Sequence, residues 1–128
     1  MPTTTAATET KAKKVLIVED EGEMCLLLNI ILDDKGTELD HVKSLQKAIE
    51  YLEKKAPSVV ILDNILPDGF GVDFISYIKE NHPGVRVIMI SGYGAAVKDI
   101  ALANGADDFV EKPFTRSQIY QSIHGAAN

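Results

Sequence analysis

The chain holds a single cysteine among its 128 residues, and no apolar stretch in it reaches the length that crosses a membrane. Cys25 alone cannot close an intrachain disulfide. His41, His82 and His124 are scattered without ligand spacing, so no Cys/His cluster spells zinc. The N-terminus lacks the apolar core of a signal peptide, and a cytoplasmic location without membrane contact is expected. Positive charge is also short. The net charge is −6, and Lys11, Lys13 and Lys14 all precede the first apolar run, which leaves the remainder more acidic still. Such a surface repels phosphate backbones and argues against direct nucleic-acid binding. What is present, 45% apolar and 25% charged residues, is an ordinary soluble composition. The length suits one domain with one core, burying roughly two-thirds of the unfolded surface without a staple.

Residues 1–13, MPTTTAATETKAK, are polar and aperiodic and read as a disordered leader. A domain over 14–125 and a short tail over 126–128 follow. Apolar runs at 15–18, 59–62 and 87–90 are short, rich in Val and Ile, and bounded by polar or turn residues. They have the composition of strands buried on both faces of a parallel sheet. Weaker strand candidates lie at 38–42, after Gly36, and at 107–110, after Gly105.

Helical patterns separate these runs. Met24, Leu27, Leu28, Ile31 and Leu32 recur at helical spacing, and Gly36 is expected to close that helix. Ser44 can cap a second helix through about Ala56, ended by Pro57. Val72, Ile75 and Ile78 mark a third, stopped by His82-Pro83-Gly84, and a fourth runs from about Ala95 to Ala103. Thr115 caps the fifth, with Ile119 and Ile123 inward. Five β–α repeats with short connections predict an α/β fold: a doubly wound, five-stranded parallel sheet of order 2-1-3-4-5, the flavodoxin-like arrangement, with five helices.

In that order strands 1 and 3 are neighbours at the topological switch point, where ligands bind. The first strand runs into Glu19-Asp20-Glu21 and the third into Asp63. Carboxylates gathered in one crevice are costly unless a cation neutralises them. Magnesium takes oxygen ligands and keeps several waters. Glu19, Asp20 and Asp63 can supply carboxylates, with the backbone carbonyl of Ile65 adding a neutral oxygen. Ser91 follows the fourth strand with a hydroxyl, and Lys112 follows the fifth with a positive charge. Carboxylates, hydroxyl, lysine and a divalent ion are what phosphoryl transfer to an aspartate needs. Glu19-Asp20-Glu21 also suits the N-terminus of the first helix, whose dipole favours acid.

In these pieces the chain resembles the receiver domains of two-component response regulators. The matching segments are VLIVEDE, VVILDNILPDGFG, IMISGYG and GADDFVEKPF, in family order over about residues 14–125. The resemblance implies that Asp63 is the phosphoacceptor and that Glu19, Asp20, Asp63 and the Ile65 carbonyl hold Mg²⁺ (or Mn²⁺). It implies that Ser91 and Lys112 contact the phosphoryl group and that Phe109 is the aromatic switch. The expected donor is a phosphohistidine of a sensor histidine kinase or a histidine phosphotransfer protein. The expected output is a changed face of helix 4, strand 5 and helix 5, read by a downstream protein target or a linked effector domain and reset by hydrolysis. Such a domain acts on itself rather than as an enzyme on a separate substrate. The alternative is a degenerate receiver acting as a phosphorylation-independent interaction module. The chain is either a stand-alone receiver or a piece of something longer.

Several positions depart from the family pattern. Glu19 stands where most relatives have Asp, Ser91 replaces the commoner Thr, Phe109 the commoner Tyr, and Gly92 the usual Ala. A haloacid-dehalogenase-like phosphatase or a toprim-like nuclease would need a second Asp at Ile65. A dinucleotide module would need a third glycine at Val97 and its loop after the first strand. On the first helix, Cys25, Leu26 and Ile30 fall off the core stripe where charged residues would be expected, which predicts a partner-binding face.

Overall fold

The computed structural model describes residues 13–33 and 36–124. Residues 1–12 of the 1–13 leader and the tail over 126–128 lie outside the described residues. Strand β1 spans Lys13–Val18, so it begins at the last residue read as leader, with Lys13 already paired to Thr37. Strand β2 covers Thr37–Val42, β3 Val59–Asp63, β4 Arg86–Ser91 and β5 Asp108–Glu111. All neighbouring pairs are parallel, and the order is β2-β1-β3-β4-β5. Five helices alternate with them: α1 Gly22–Ile31, α2 Leu45–Lys54, α3 Gly71–Asn81, α4 Ala95–Ala103 and α5 Arg116–His124. A two-residue antiparallel ribbon, Ile65–Leu66 with Gly69–Phe70, bridges β3 and α3. No helix among the described residues is long and apolar enough to cross a membrane.

Alternation along the strands divides the core into two layers. Val15, Ile17, Val59, Ile61, Ile88 and Ile90 pack with Leu28, Leu32, Ile119 and Ile123 of the α1/α5 side. Leu16, Val18, Val60, Leu62, Val87 and Met89 pack with Ala48, Leu52, Ile75 and Ile78 of α2 and α3. Because both faces are covered, these strands read as unbroken apolar runs rather than as alternating ones.

Helix ends follow local chemistry. The Ser44 hydroxyl accepts from the Lys47 N–H at 3.1 Å and the Thr115 hydroxyl from the Gln118 N–H at 3.1 Å. Contrary to the expectation from sequence, Gly36 does not close α1. The helix ends at Ile31, its last turn closed by the Leu32 N–H to the Leu28 carbonyl at 2.9 Å. Gly36 instead immediately precedes β2, its carbonyl accepting from the Lys13 N–H at 2.9 Å.

The stripe of α1 also differs. Cys25 is only 5% exposed and Leu27 is 41% exposed, so these two exchange the roles expected from spacing. Five apolar residues in succession within the MCLLL segment leave the buried face undefined by pattern. The sheet selects it, turning Cys25 inward toward β2, where its Sγ lies 2.7 Å from His41 Nε2. Leu26 and Ile30 remain at the surface, 61% and 65% exposed.

Candidate functional site

Strand register assembles the crevice. Val18 pairs with Leu62, so the next residues, Glu19 and Asp63, come side by side at the carboxyl ends of β1 and β3. Asp63 in turn pairs with Ile90, one residue before Ser91, and Ser91 pairs with Glu111, one residue before Lys112. The Lys112 N–H donates to the Ser91 carbonyl at 2.9 Å, extending the ladder past the strand end. The peptide between Lys112 and Pro113 is cis.

The charged groups meet directly. Lys112 Nζ donates to Asp63 Oδ1 at 3.0 Å and lies 3.7 Å from Glu19 Oε1. Glu19 is almost fully buried, and Asp63 is buried while Asp20 is exposed. One oxygen from each of these three acids falls within 4.8 Å of the others. Glu19 Oε2 accepts from the Glu21 N–H at 3.1 Å, whereas buried Oε1 has no hydrogen-bond partner. A buried carboxylate oxygen without a donor is costly, and a lone lysine cannot balance three acids. Burial, then the negative charge of Asp63, push the Glu19 carboxyl up to about 7, against the downward pull of the Glu21 amide and of Lys112. On Lys112, burial pulls the ammonium down, but the hydrogen bond and charge of Asp63, with the charge of Glu19, outweigh it and raise its pKa. This donor set, all oxygen and anionic with one atom unsatisfied, fits a hard divalent cation.

The opposite wall is formed by Ser91, Gly92 and Tyr93, which with Asp63, Asn64, Ile65 and Lys112 line a pocket of about 290 Å³. Ser91 is buried, and its hydroxyl oxygen accepts from the Tyr93 N–H at 3.1 Å, retaining its own O–H for donation. Tyr93 is exposed at the rim. Phe109 is half-buried on β5, packed against the α2/α3 layer of the core. It also lines a groove of about 780 Å³ with Gly94, Ala95 and Lys98 of the α4 side and Gln118 of α5. The residues predicted for chemistry, Glu19, Asp20, Asp63, Ile65, Ser91 and Lys112, are thus brought together, with Phe109 set apart near α4.

Of the predicted partner face on α1, Leu26 and Ile30 are exposed, but Cys25 is buried and does not belong to it. The Cys25 thiol, also 3.5 Å from the Glu19 carbonyl, has its pKa raised by burial and then by the charge of Glu19.

Two tertiary contacts of the segment that follows Asp63 escaped the pattern. Asn64 is buried, its carbonyl accepting from the Gly71 N–H at 2.6 Å and its Oδ1 from the Val72 N–H at 3.1 Å. It caps α3 and returns the chain beneath Asp63. Gly71 allows that return: a Cβ there would stand 2.2 Å from the Asp63 carbonyl oxygen. Asp68 reaches the N-terminus of α2, a contact across 23 residues. The Asn before an apolar helical stripe was the only local signal for the first; the second had none.

Comparison with known proteins places these features. The model of the family described as the response regulator receiver domain matches residues 15–124. Response regulator protein PilR of Pseudomonas aeruginosa is 37% identical over 112 residues, covering 87% of this chain and 25% of PilR. Chemotaxis protein CheY of Halobacterium salinarum is 32% identical over 113 residues, covering 88% of this chain and 94% of that protein. Among solved structures, the beryllofluoride-activated NtrC4 receiver domain dimer superposes with a TM-score of 0.81 at 38% identity, covering 87% of this chain and 93% of that one. The chain spans a quarter to a half of the length of several curated relatives that it matches.

Proposed function

Because this chain belongs to the response regulator receiver domain family, we propose that it accepts a phosphoryl group on Asp63 and relays that event by changing its α4/β5/α5 face. The observation that carries the reading is the Asp63–Lys112 contact at 3.0 Å beside the buried, unpartnered Glu19 Oε1. An Asp63 carboxylate oxygen attacks phosphorus. The bond from phosphorus to the donor's imidazole nitrogen breaks, and the electron pair leaves on that nitrogen. Lys112 offsets charge on the phosphoryl oxygens, and the Ser91 O–H donates to one of them. Glu19, Asp20, Asp63 and the Ile65 carbonyl would hold a divalent cation, Mg²⁺ or Mn²⁺, which when bound neutralises phosphoryl and carboxylate charge. Attack of water on the acyl phosphate resets the domain, so it modifies itself and turns over no separate substrate.

A phosphohistidine in a sensor histidine kinase or a histidine phosphotransfer protein is the proposed donor, and a protein target or a linked effector domain the proposed recipient. Phosphorylation shifts a two-state equilibrium, for which Ser91 and half-buried Phe109 are the proposed switch residues. Leu26 and Ile30, apolar and exposed on α1, are the proposed donor contacts. Two experiments test this reading. Mass spectrometry after incubation with a small acyl phosphate and Mg²⁺ should find one phosphoryl adduct, absent in Asp63→Asn. An undiminished adduct in that variant, or none in the wild type, refutes the assignment and leaves the phosphorylation-independent module. Replacing Leu26 and Ile30 with Glu should slow transfer from the cognate protein donor while sparing labelling by the small acyl phosphate; equal slowing of both refutes the docking face.

A further inference from the structure

Asp68 lies at the tip of the ribbon that follows the phosphoacceptor, and both its oxygens are engaged on another element. Oδ1 accepts from the Leu45 N–H at 2.8 Å and Oδ2 from the Gln46 N–H at 3.0 Å. Those are the first two amides of α2, which have no acceptor inside the helix. The next amide, of Lys47, goes to the Ser44 hydroxyl, and that of Ala48 to the Ser44 carbonyl at 3.0 Å. The cap of α2 is therefore divided between its own N-cap residue and a loop from across the molecule. Those two amide bonds hold the Asp68 carboxyl below its ordinary value, and the positive end of the helix dipole favours the anion.

The loop presses closely on the helix. Gly69 has φ +152°, and a Cβ there would stand 2.9 Å from Leu45 Cδ1. At its base the loop is tied by Asn64 to Gly71 and Val72 of α3. Ile65, paired with Phe70 across the ribbon, sits between these two anchorages and on the wall of the pocket.

We propose that Asp68 is a positioning residue: by bracing the 64–70 loop on the N-terminus of α2, it sets where Ile65 lies beside Asp63 and thereby sets divalent-cation affinity. The inference rests on the reading of Ile65 and the three carboxylates as cation ligands. It also makes α2 a mechanical support of the site, although no residue of α2 lines the pocket.

The test uses the full chain with Asp68→Ala, Asp68→Asn and Ser44→Ala. Ser44→Ala weakens the same helix cap without touching the loop and controls for loss of stability. Calorimetric Mg²⁺ titration should show affinity weakened about 10-fold in Asp68→Ala, the lower end of what losing an outer partner costs a metal site. Asp68→Asn, which keeps one accepting oxygen, should fall between, and Ser44→Ala should match the wild type. Amide hydrogen exchange without added cation should quicken across 64–70 in Asp68→Ala and stay unchanged there in Ser44→Ala. Unaltered Mg²⁺ affinity in Asp68→Ala, or an equal loss in Ser44→Ala, overturns the inference alone. Failure of the wild type to bind Mg²⁺ overturns the cation reading and this inference with it, whatever the exchange data show.

Discussion

The two walls of the crevice are built in opposite ways. On the carboxylate side, Glu19 and Asp63 are buried, Asn64 is held by two hydrogen bonds, and Gly71 passes so near Asp63 that no Cβ fits. On the hydroxyl side Ser91 is buried too, but Gly92 has open space where a Cβ would lie, Tyr93 is exposed, and the N-cap of α4, Gly94, offers no side-chain cap. Of the nine residues of α4 only Ala101 is buried, whereas α3 buries four of eleven. Close packing resists displacement, and sparse packing permits it at low cost. The stiff wall is suited to holding reactants in register, the loose one to moving in response.

The largest expected effect comes from breaking the stiff wall. Gly71→Ala would place its Cβ 2.2 Å from backbone that cannot swing aside, costing more than about 3 kcal/mol, the upper range for overpacking. Urea unfolding should report that loss, together with lost labelling of Asp63. Gly84→Ala, at a site with nothing within 4 Å, should lose far less; comparable midpoints for the two variants would remove the argument for a close approach.

Next in size is the charge stored in that wall. Glu19 titrates near its ordinary 4.5 when unfolded and at about 7 when folded. Between those values the folded state holds a proton that the unfolded state has released, so metal-free stability falls as pH rises through that window. Glu19→Gln mimics the protonated form. It should match the wild type below pH 4.5 and exceed it above pH 7, by up to about 3 kcal/mol at ~1.4 kcal/mol per pKa unit. Added Mg²⁺ should restore the wild type at the higher pH. Melting curves of the two proteins that stay parallel from acid to neutral pH would refute it.

The smallest effect sharpens the contrast from the loose side. Gly92 has room for a methyl group and a φ that is not positive, so Gly92→Ala should stabilise by about 0.4–1 kcal/mol through the unfolded chain. Labelling of Asp63 by a small acyl phosphate should be unchanged. A destabilised Gly92→Ala would mean that this wall is as tightly constrained as the other.

Legibility in the sequence divides along similar lines. The runs ending in Glu19 and Asp63 disclosed strands, sheet type and acid cluster, because a strand covered on both faces must be apolar until it emerges. Ser44 and Thr115 disclosed helix starts, since a cap bonds amides within its own turn. The face of α1 was not legible: with apolar residues at every position of the MCLLL segment, periodicity could not choose between Cys25 and Leu27. Nor was Asp68, whose Pro-Asp-Gly setting reads as a plain turn, while the amides it satisfies lie 22 and 23 residues away.

By itself, then, the sequence determined the element order, the parallel sheet and the acids, hydroxyl and lysine at its strand ends, because composition and nearest-neighbour hydrogen bonding act within a few residues. Tertiary structure alone decided which side of α1 is buried, that Glu19 Oε1 is left without a donor, and that α2 braces the loop beside Asp63. Those outcomes depend on burial and on contacts between distant segments, and neither exists until the sheet and helices have packed.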